Sequence, residues 1–254
     1  MKNMHRKLTL ITAVLIIVST HAAAQNNGVT PSNTPVTNEY RVTQIYTKPI
    51  NKKFVLFAYT GYTKSPEKEY TSVYASPPNI IYIAKPWLEL YGAFIAVYTK
   101  NKNASHSWEF RPVAAVKVYL PNDKKWYIYS WTRYENRLIL QDDNMQSIPR
   151  LRNRFGIEAP LAKKEKKWAP KTFYMLSDIE PIWRLDQKRM EILRFRGGLG
   201  YVFSKKYRAE FQYFGDLSPT NNARLGYVNS IWRLNIKVSF PRKGFTYPKD
   251  VDID

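Results

Sequence analysis

The charged side chains of this chain recur at every second position, and they are the groups best able to do chemistry together. Arg150, Arg152 and Arg154 stand two residues apart, and Arg133 and Glu135 follow the same spacing. Residues two apart on a β-strand share one face, so these groups can form charge-assisted hydrogen bonds across a sheet. The candidate set consists of Glu109, Arg111, Arg133, Glu135, Arg137, Arg150, Arg152, Arg154, Glu158, Asp178, Glu180, Arg184, Arg194, Arg196, Arg208, Glu210 and Arg233.

Conventional catalytic groups are scarce. His5 and His21 fall in the expected leader, which leaves only His106, between Ser105 and Ser107. A histidine can activate a serine nucleophile, but neighbouring residues on a strand point to opposite faces, so these hydroxyls are poorly placed for His106. We therefore expect no enzymatic activity, and a surface hydrolase using His106 remains a less favoured alternative. The chain has no cysteine and no metal-ligand spacing, so we expect neither a metal nor a cofactor.

The spacing also indicates β-strands. In the last segment, Trp232, Leu234 and Ile236 alternate with Arg233 and Asn235. A strand separates these two sets onto opposite faces, whereas a helix would mix them. Six earlier segments repeat the pattern, so the alternation is a property of most of the chain.

The number of segments predicts an all-β fold, an antiparallel transmembrane β-barrel of about ten strands. Besides the seven clear segments, three apolar ones near 53–63, 79–90 and 92–100 alternate less cleanly. Tyr40–Thr47 could be an extra strand, and one more would make twelve. With ten strands, a turn falls near Tyr91–Gly92, and both chain ends lie on the periplasmic side, as an even-stranded bacterial barrel requires. An outer loop is expected over 64–78.

Alternation alone fits two architectures with opposite orientation. A soluble sandwich or lipocalin-like barrel places its apolar face inside, whereas an outer-membrane barrel turns it toward lipid and its charges into the lumen. Strands of 12 to 15 residues exceed the ~5–6 of soluble sheets. Trp and Tyr cluster at segment ends, as at membrane interfaces. The charged face carries both signs, as a closed lumen requires. These features favour the membrane barrel.

The composition excludes several classes of protein. There are 40 Lys and Arg against 20 Asp and Glu, a net charge of +20, and aromatics make up 15% of the residues. The mean hydropathy of −0.46 argues against a polytopic helical membrane protein. The aromatic content argues against intrinsic disorder. Basic residues that alternate with apolar ones do not form the solvent-facing basic patch of a nucleic-acid-binding protein, so no nucleic-acid partner is expected.

Four regions are predicted along the chain. Residues 1–24 have a cationic start, a short apolar centre and small residues before Gln25, the order of a cleaved signal peptide. Residues 25–50 are expected to be a flexible segment, 51–240 the barrel, and 241–254 a periplasmic tail. The basic run Lys163–Lys167 is interpreted as a solvated turn.

Several runs together resemble a known family. They are His106–Val113, Trp131–Arg137, Arg150–Arg154, Glu158–Pro160 and Leu193–Tyr201. In this order they resemble the outer-membrane β-barrel family catalogued as domain of unknown function 2490. Its pattern has an acidic-x-Arg-Pro strand, an Arg-x-Glu-x-Arg strand, an Arg-x-Arg strand and a late Arg-rich strand running into Gly-x-Tyr. The resemblance covers about Lys52 to Phe240 and departs at Val113, where the family usually has Trp. It implies a Gram-negative outer-membrane location and no established activity.

The expected function is that of a non-enzymatic barrel in the cell outer membrane, with a structural or partner-binding role. Six acidic and thirteen basic inward residues would fill its lumen, because barrels of about eight strands are filled by their own side chains. A narrow channel for small anionic solutes is the alternative, since the inward face has excess positive charge. Expected partners are outer-membrane lipid and either lipopolysaccharide or a periplasmic partner. We expect a monomer.

Overall fold

The computed structural model describes residues 36–102, 104–120, 126–161, 169–219 and 225–240. Within these ranges the chain forms β-strands, and none of the described segments is a helix with the length and apolar character to cross a membrane. The strands are β1 (Thr37–Pro49), β2 (Phe54–Ser65), β3 (Tyr70–Ala75), β4 (Asn79–Lys85), β5 (Leu88–Asn101), β6 (Ser107–Leu120), β7 (Tyr127–Gln141), β8 (Asn144–Pro160), β9 (Thr172–Arg184), β10 (Arg189–Val202), β11 (Tyr207–Pro219) and β12 (Leu225–Ser239).

The strands close into a mixed barrel with eleven positions. From β5 to β12 each strand pairs antiparallel with its neighbour in sequence. The two short strands β3 and β4 share one position, because both lie between β2 and β5. Strand β1 closes the ring by pairing antiparallel with β2 and parallel with β12. The predicted all-β barrel is therefore confirmed.

Eleven positions roughly match the predicted count of about ten strands, but their odd number contradicts the predicted common side for the two ends of the barrel. When an odd number of strands runs alternately up and down, the first and the last run in the same direction, so their pairing must be parallel. Thr37 pairs with Asn229 and Thr47 with Ser239. The chain thus enters the barrel at one end and leaves it at the other. We call these the entry end, with the turn at 66–69, and the exit end, with the turn at 50–53.

The extra position comes from β1, which contains the possible extra strand Tyr40–Thr47 but lies in the segment expected to be flexible. Its inward face carries Thr43 and Ile45 and its outward face carries Gln44, so polar and apolar residues do not separate in its sequence. The barrel therefore begins at Thr37 rather than at residue 51. The predicted leader and tail, residues 1–24 and 241–254, and the run Lys163–Lys167 lie outside the described residues.

Two predicted turns are also corrected. The chain continues as one strand through Tyr91–Gly92, and it reverses instead at Pro86–Trp87. A glycine inside a strand weakens it without ending it, so Gly92 was a poor turn signal. The loop expected over 64–78 is mostly strand. The reversal takes only residues 66–69, where Glu69 adopts a φ of 49°.

The predicted orientation of the two faces is confirmed. Large apolar side chains such as Trp108, Phe110 and Phe211 are exposed on the outer surface, whereas Glu135 and Arg154 are fully buried in the interior. A water-soluble globular fold has the opposite arrangement. The buried side chains are therefore those that face the lumen, and many of them are charged.

Part of the interior is apolar, which the sequence did not predict. Tyr59, Tyr91 and Trp131 are buried in one cluster with aliphatic residues from β1 to β7. The rings of Tyr91 and Trp131 lie 5.6 Å apart, and those of Phe57 and Tyr91 lie 6.3 Å apart. Such ring pairs pack favourably at these separations. The lumen therefore has an aromatic wall on one side and a charged wall on the other.

Glycines opposite aromatic residues let rings lie flat against the sheet. Gly156 faces Tyr129 on the neighbouring strand, and Gly200 faces Tyr174. A Cβ added at either glycine would overlap the facing ring. An aromatic ring over a cross-strand glycine restores the packing that glycine lacks, so these pairs hold neighbouring strands in register.

We predict that Gly200→Ala destabilises the folded barrel by about 1–3 kcal/mol, because the new methyl group must displace the Tyr174 ring. Gly197 lies on the same strand with nothing within 4 Å of its added Cβ, so Gly197→Ala is the matched control and should not lower stability. Urea unfolding of the detergent-folded protein, followed by tryptophan fluorescence, measures both. Equal stability of the two variants would contradict the proposed packing.

Candidate functional site

All seventeen candidate residues lie on the inward phase of their strands. Those that are half-buried rather than buried are Arg111, Arg137, Arg150, Arg184 and Arg208. The structure brings most of the set into three groups, here called the central, exit-end and entry-end clusters. Successive side chains on a β-strand point to opposite faces, so the residues predicted from sequence to share one face all point into the lumen.

The central cluster is organised around Glu180 on β9. Arg152 donates from Nε and Nη2 to the two carboxylate oxygens of Glu180, at 3.1 and 2.7 Å, and Arg154 donates from Nη2 at 3.1 Å. Both arginines come from the neighbouring strand β8. These side chains are at most 4% exposed, so water cannot replace any of these bonds. One carboxylate thus compensates two buried guanidinium groups.

Asp178 also belongs to this cluster. It lies two residues from Glu180 on β9, on the same inward face and closer to the exit end. Arg196 on β10 donates from Nε to Asp178 at 2.5 Å, and its Nη2 also contacts that carboxylate. The same Nη2 lies 3.1 Å from the Tyr129 hydroxyl across the lumen. Arg194, nearer the entry end, makes a bidentate pair with Asp216 at 2.7 and 2.9 Å. These hydrogen bonds therefore connect β8, β9, β10 and β11 within the charged wall.

Arg133 is held differently from the other central arginines. Its guanidinium lies 3.6 Å from Glu135 and 3.6 Å from Glu180, and in the described part of the chain none of its nitrogens has a hydrogen-bond partner. Its guanidinium carbon lies 5.1 Å from the centroid of the Trp131 ring, and that of Arg154 lies 5.2 Å from it. Cation–π attraction at such distances strengthens when water is excluded. Trp131 therefore forms the boundary between the aromatic and charged walls.

The exit-end cluster is organised around Glu210 on β11. The Tyr174 hydroxyl donates to Glu210 at 2.5 Å, and Lys237 donates at 2.9 Å. Gln212 donates to the other carboxylate oxygen at 2.6 Å and accepts from Arg233 at 3.0 Å. Three strands, β9, β11 and β12, are thereby linked through one acidic side chain.

The entry-end cluster surrounds a cavity. Glu109 accepts hydrogen bonds from Arg111, at 2.8 Å from Nε, and from Arg137, at 2.7 Å from Nε. Glu39 accepts from Arg41 Nη2 at 2.6 Å. The cavity has a volume of about 250 Å³. It is lined by Arg41, Tyr59, Thr63, Tyr70, Ser72, Tyr74, Ile95, Val97, Thr99, Glu109, Arg111 and Arg137.

Sequence reasoning missed several inward polar groups. Glu39, Glu89, Glu191 and Asp216 all bond to inward residues. Each lies either on the same face as neighbouring residues already predicted to point inward, or on a strand whose alternation of polar and apolar residues is unclear in the sequence. Counting every charge of that phase, rather than the clearest ones, would have found Asp216. These carboxylates reduce the excess positive charge expected inside.

Other candidate chemistry lies outside these clusters. His106 is exposed just before β6, with its ring 6.0 Å from that of Tyr98. Among the described residues, no group of three or more His, Cys, Asp or Glu side chains could hold a metal ion.

Arg184 pairs with Asp186 in the exposed turn at the entry end, and this hydrogen bond holds the pKa of Asp186 below its usual value.

A recess of about 510 Å³ marks the outer surface over β6 to β10 near the exit end. Small residues, Ser130, Gly156 and Ser177, form part of its lining, and apolar side chains such as Phe155 and Ile179 form most of the rest. Small residues between large ones leave a depression in the outward apolar surface. Tyr129 and Asp178 also border the recess, so it is mostly apolar but adjoins the central cluster through the barrel wall.

Comparison with known proteins identifies a family. The family model described as protein of unknown function, DUF2490, matches residues 42–225. No curated protein matches the chain. The match covers well over half of the sequence and includes β2 to β11, and it confirms the family resemblance found in the motifs.

We predict that Glu180→Gln destabilises the barrel by about 3–5 kcal/mol, because it leaves the buried Arg152 and Arg154 without their shared negative charge. Asp186→Asn is the matched control, since it also removes a carboxylate bonded to an arginine but in an exposed turn. It should leave the unfolding midpoint unchanged. The midpoint in urea measures both variants, and a Glu180→Gln barrel as stable as the control would contradict the central cluster's role.

Proposed function

We propose, for a chain that belongs to the DUF2490 family of proteins of unknown function, the role of a non-enzymatic β-barrel in the outer membrane of a Gram-negative bacterium. The observation that carries the proposal is the inverted burial of the barrel, with apolar side chains outside and paired charges inside. Its role is structural or partner-binding, and its lumen is closed by its own side chains.

The outer surface supports the membrane location. Strands β5 to β12 are 13 to 17 residues long, and a tilted strand needs ~9–11 to cross a bilayer. Large apolar side chains are exposed on every long strand, among them Phe94, Tyr134 and Leu234. Contiguous exposed apolar surface of this kind is unfavourable in water. Lipid is therefore its natural environment, and the outer recess can take an acyl chain.

The packing of the interior supports a closed lumen rather than an anion channel. Arg133, Arg154 and Arg196 are each 1% exposed in their side chains, and each lies between carboxylates or against a ring. An ion that crossed this layer would have to break several buried ion pairs at once. Barrels of this size are filled by side chains, and water-filled lumens occur near 16–18 strands.

The absence of catalysis is proposed from the position of His106. It is exposed at the entry end and is not part of the entry-end, central or exit-end clusters. A general base needs a positioned partner within hydrogen-bond reach. The chain is proposed to act as a monomer, with outer-membrane lipid around it and either lipopolysaccharide or a periplasmic partner in contact with it. No nucleic-acid partner is proposed.

The membrane location predicts a depth-dependent effect of charge on β9. Ile179 lies in the middle of that strand and Phe173 near its exit end, with exposed fractions of 46% and 55%. In lipid, Ile179→Arg should destabilise by about 2–4 kcal/mol and the control Phe173→Arg by about 0–1 kcal/mol. In water, both would cost little. Unfolding in lipid vesicles measures the difference, and equal small effects would contradict the proposal.

The closed lumen predicts no conductance when the folded protein is added to planar bilayers. A band that migrates faster before heating than after it shows that the same sample is folded. Anion-selective current that falls when Arg152 and Arg154 are replaced by Gln would instead establish the narrow channel. Replacement of Arg184, in its exposed pair with Asp186, is the control in that case.

A further inference from the structure

We propose that the entry-end cavity binds a small hydroxylated anion, such as a phosphorylated or carboxylated monosaccharide. The proposed structural role requires no ligand, so this site goes beyond it. The cavity, of about 250 Å³, is smaller than the ~300–1,000 Å³ of sites for drug-sized ligands. A ligand no larger than a monosaccharide therefore fits its volume.

Charge favours an anion in this cavity. Arg41, Arg111 and Arg137 line it, and in the described part of the chain the carboxylates that accept their hydrogen bonds are Glu39 and Glu109. Glu135 of the central cluster also attracts Arg111. Among the described lining residues, however, three guanidinium groups accompany a single carboxylate, that of Glu109. The three arginines also keep donors available, because their bonds to Glu39 and Glu109 use only the Nε and Nη2 atoms in the described structure. Their Nη1 groups can donate to a ligand.

These arginines can be reached from solvent, unlike those of the central cluster. The side chains of Arg41, Arg111 and Arg137 are 17–23% exposed, whereas that of Arg152 is 4% exposed. An anion that enters the barrel at this end therefore meets guanidinium groups at once. It goes no further, because Tyr91 and Trp131 pack beneath the cavity. The site is a blind pocket and not a segment of a pore.

Hydroxyl groups on β2, β3 and β5, between the arginine-bearing strands β1 and β6, favour a ligand with hydroxyls of its own. Thr63, Ser72 and Thr99 line the cavity, and the Ser72 and Thr99 hydroxyls lie 2.8 Å apart. The Tyr59 hydroxyl is buried against the cavity, and in the described residues it has no hydrogen-bond partner. An unsatisfied buried hydroxyl costs about 1–3 kcal/mol. A ligand hydroxyl placed here would remove that cost, so Tyr59 is an independent indication of a ligand.

The test uses the full-length barrel folded in detergent, with glucose 6-phosphate as the probe in isothermal titration calorimetry. Two control ligands are compared with it: glucose, which has the hydroxyl groups but no charge, and inorganic phosphate, which has the charge but no sugar hydroxyl groups. We expect saturable binding of glucose 6-phosphate that is at least tenfold tighter than that of either control ligand. Absence of saturable binding, or equal affinity for glucose, would overturn the anion site. Equal affinity for inorganic phosphate would overturn the assignment of a hydroxylated ligand.

Three variants locate the binding. Arg137→Gln should weaken it at least tenfold while Glu109 keeps its bond to Arg111, and Glu109→Gln should tighten it by freeing both arginines. Tyr59→Phe should weaken it several-fold without lowering the melting temperature of the ligand-free protein. Arg184→Gln, at the same end but outside the cavity, is the control and should leave affinity unchanged. Wild-type affinity in both Arg137→Gln and Tyr59→Phe would overturn the proposal.

Discussion

A charge enclosed in a closed barrel has no water to solvate it, and this constraint organises the interior of the protein. An unpaired buried ion costs several kcal/mol, so inward arginines are stable only where carboxylates or aromatic faces meet them. Here one carboxylate often serves two cations. Glu180 compensates Arg152 and Arg154, and Glu109 compensates Arg111 and Arg137. Each shared carboxylate bonds to at least one arginine on the neighbouring strand, Glu180 on β9 to β8 and Glu109 on β6 to β7, so it also fixes the register between those strands.

The same constraint explains why the lumen is divided into two walls. Aromatic and aliphatic side chains from β1 to β7 carry no charge, so they pack together and exclude water from the charges beside them. Exclusion of water strengthens the ion pairs on β8 to β11. Trp131 joins the two walls, since its ring faces the guanidinium groups of Arg133 and Arg154. Lys117, 4.2 Å from the centroid of the Tyr129 ring, makes a similar junction nearer the exit end.

The alternation of charged and apolar residues was enough to predict the barrel, its orientation and the inward phase of the candidate residues. It could not predict which inward residues meet, because a contact such as that between Arg196 and Tyr129 depends on barrel closure and on a sequence separation of 67 residues. The aromatic wall was not predicted from the sequence for a different reason. An inward Tyr or Trp on β5 or β7 looks like the lipid-facing kind unless its phase is counted from the charges on the same strand, as Trp131 with Arg133 would have allowed.

Strand β1 connects the architecture to the candidate site. Its alternation is weak because Thr and Ile share its inward face, so the sequence suggested ten strands and gave Tyr40–Thr47 only as a possible extra one. Inclusion of β1 makes the ring odd and forces the parallel pairing with β12. It also brings Arg41, which is bonded to Glu39, to the entry-end cavity that Glu109 and Arg111 on β6 line as well. Without β1 the cavity would lack one of its three arginines and its wall toward β12. The element that closes the barrel is therefore also the one that completes the pocket.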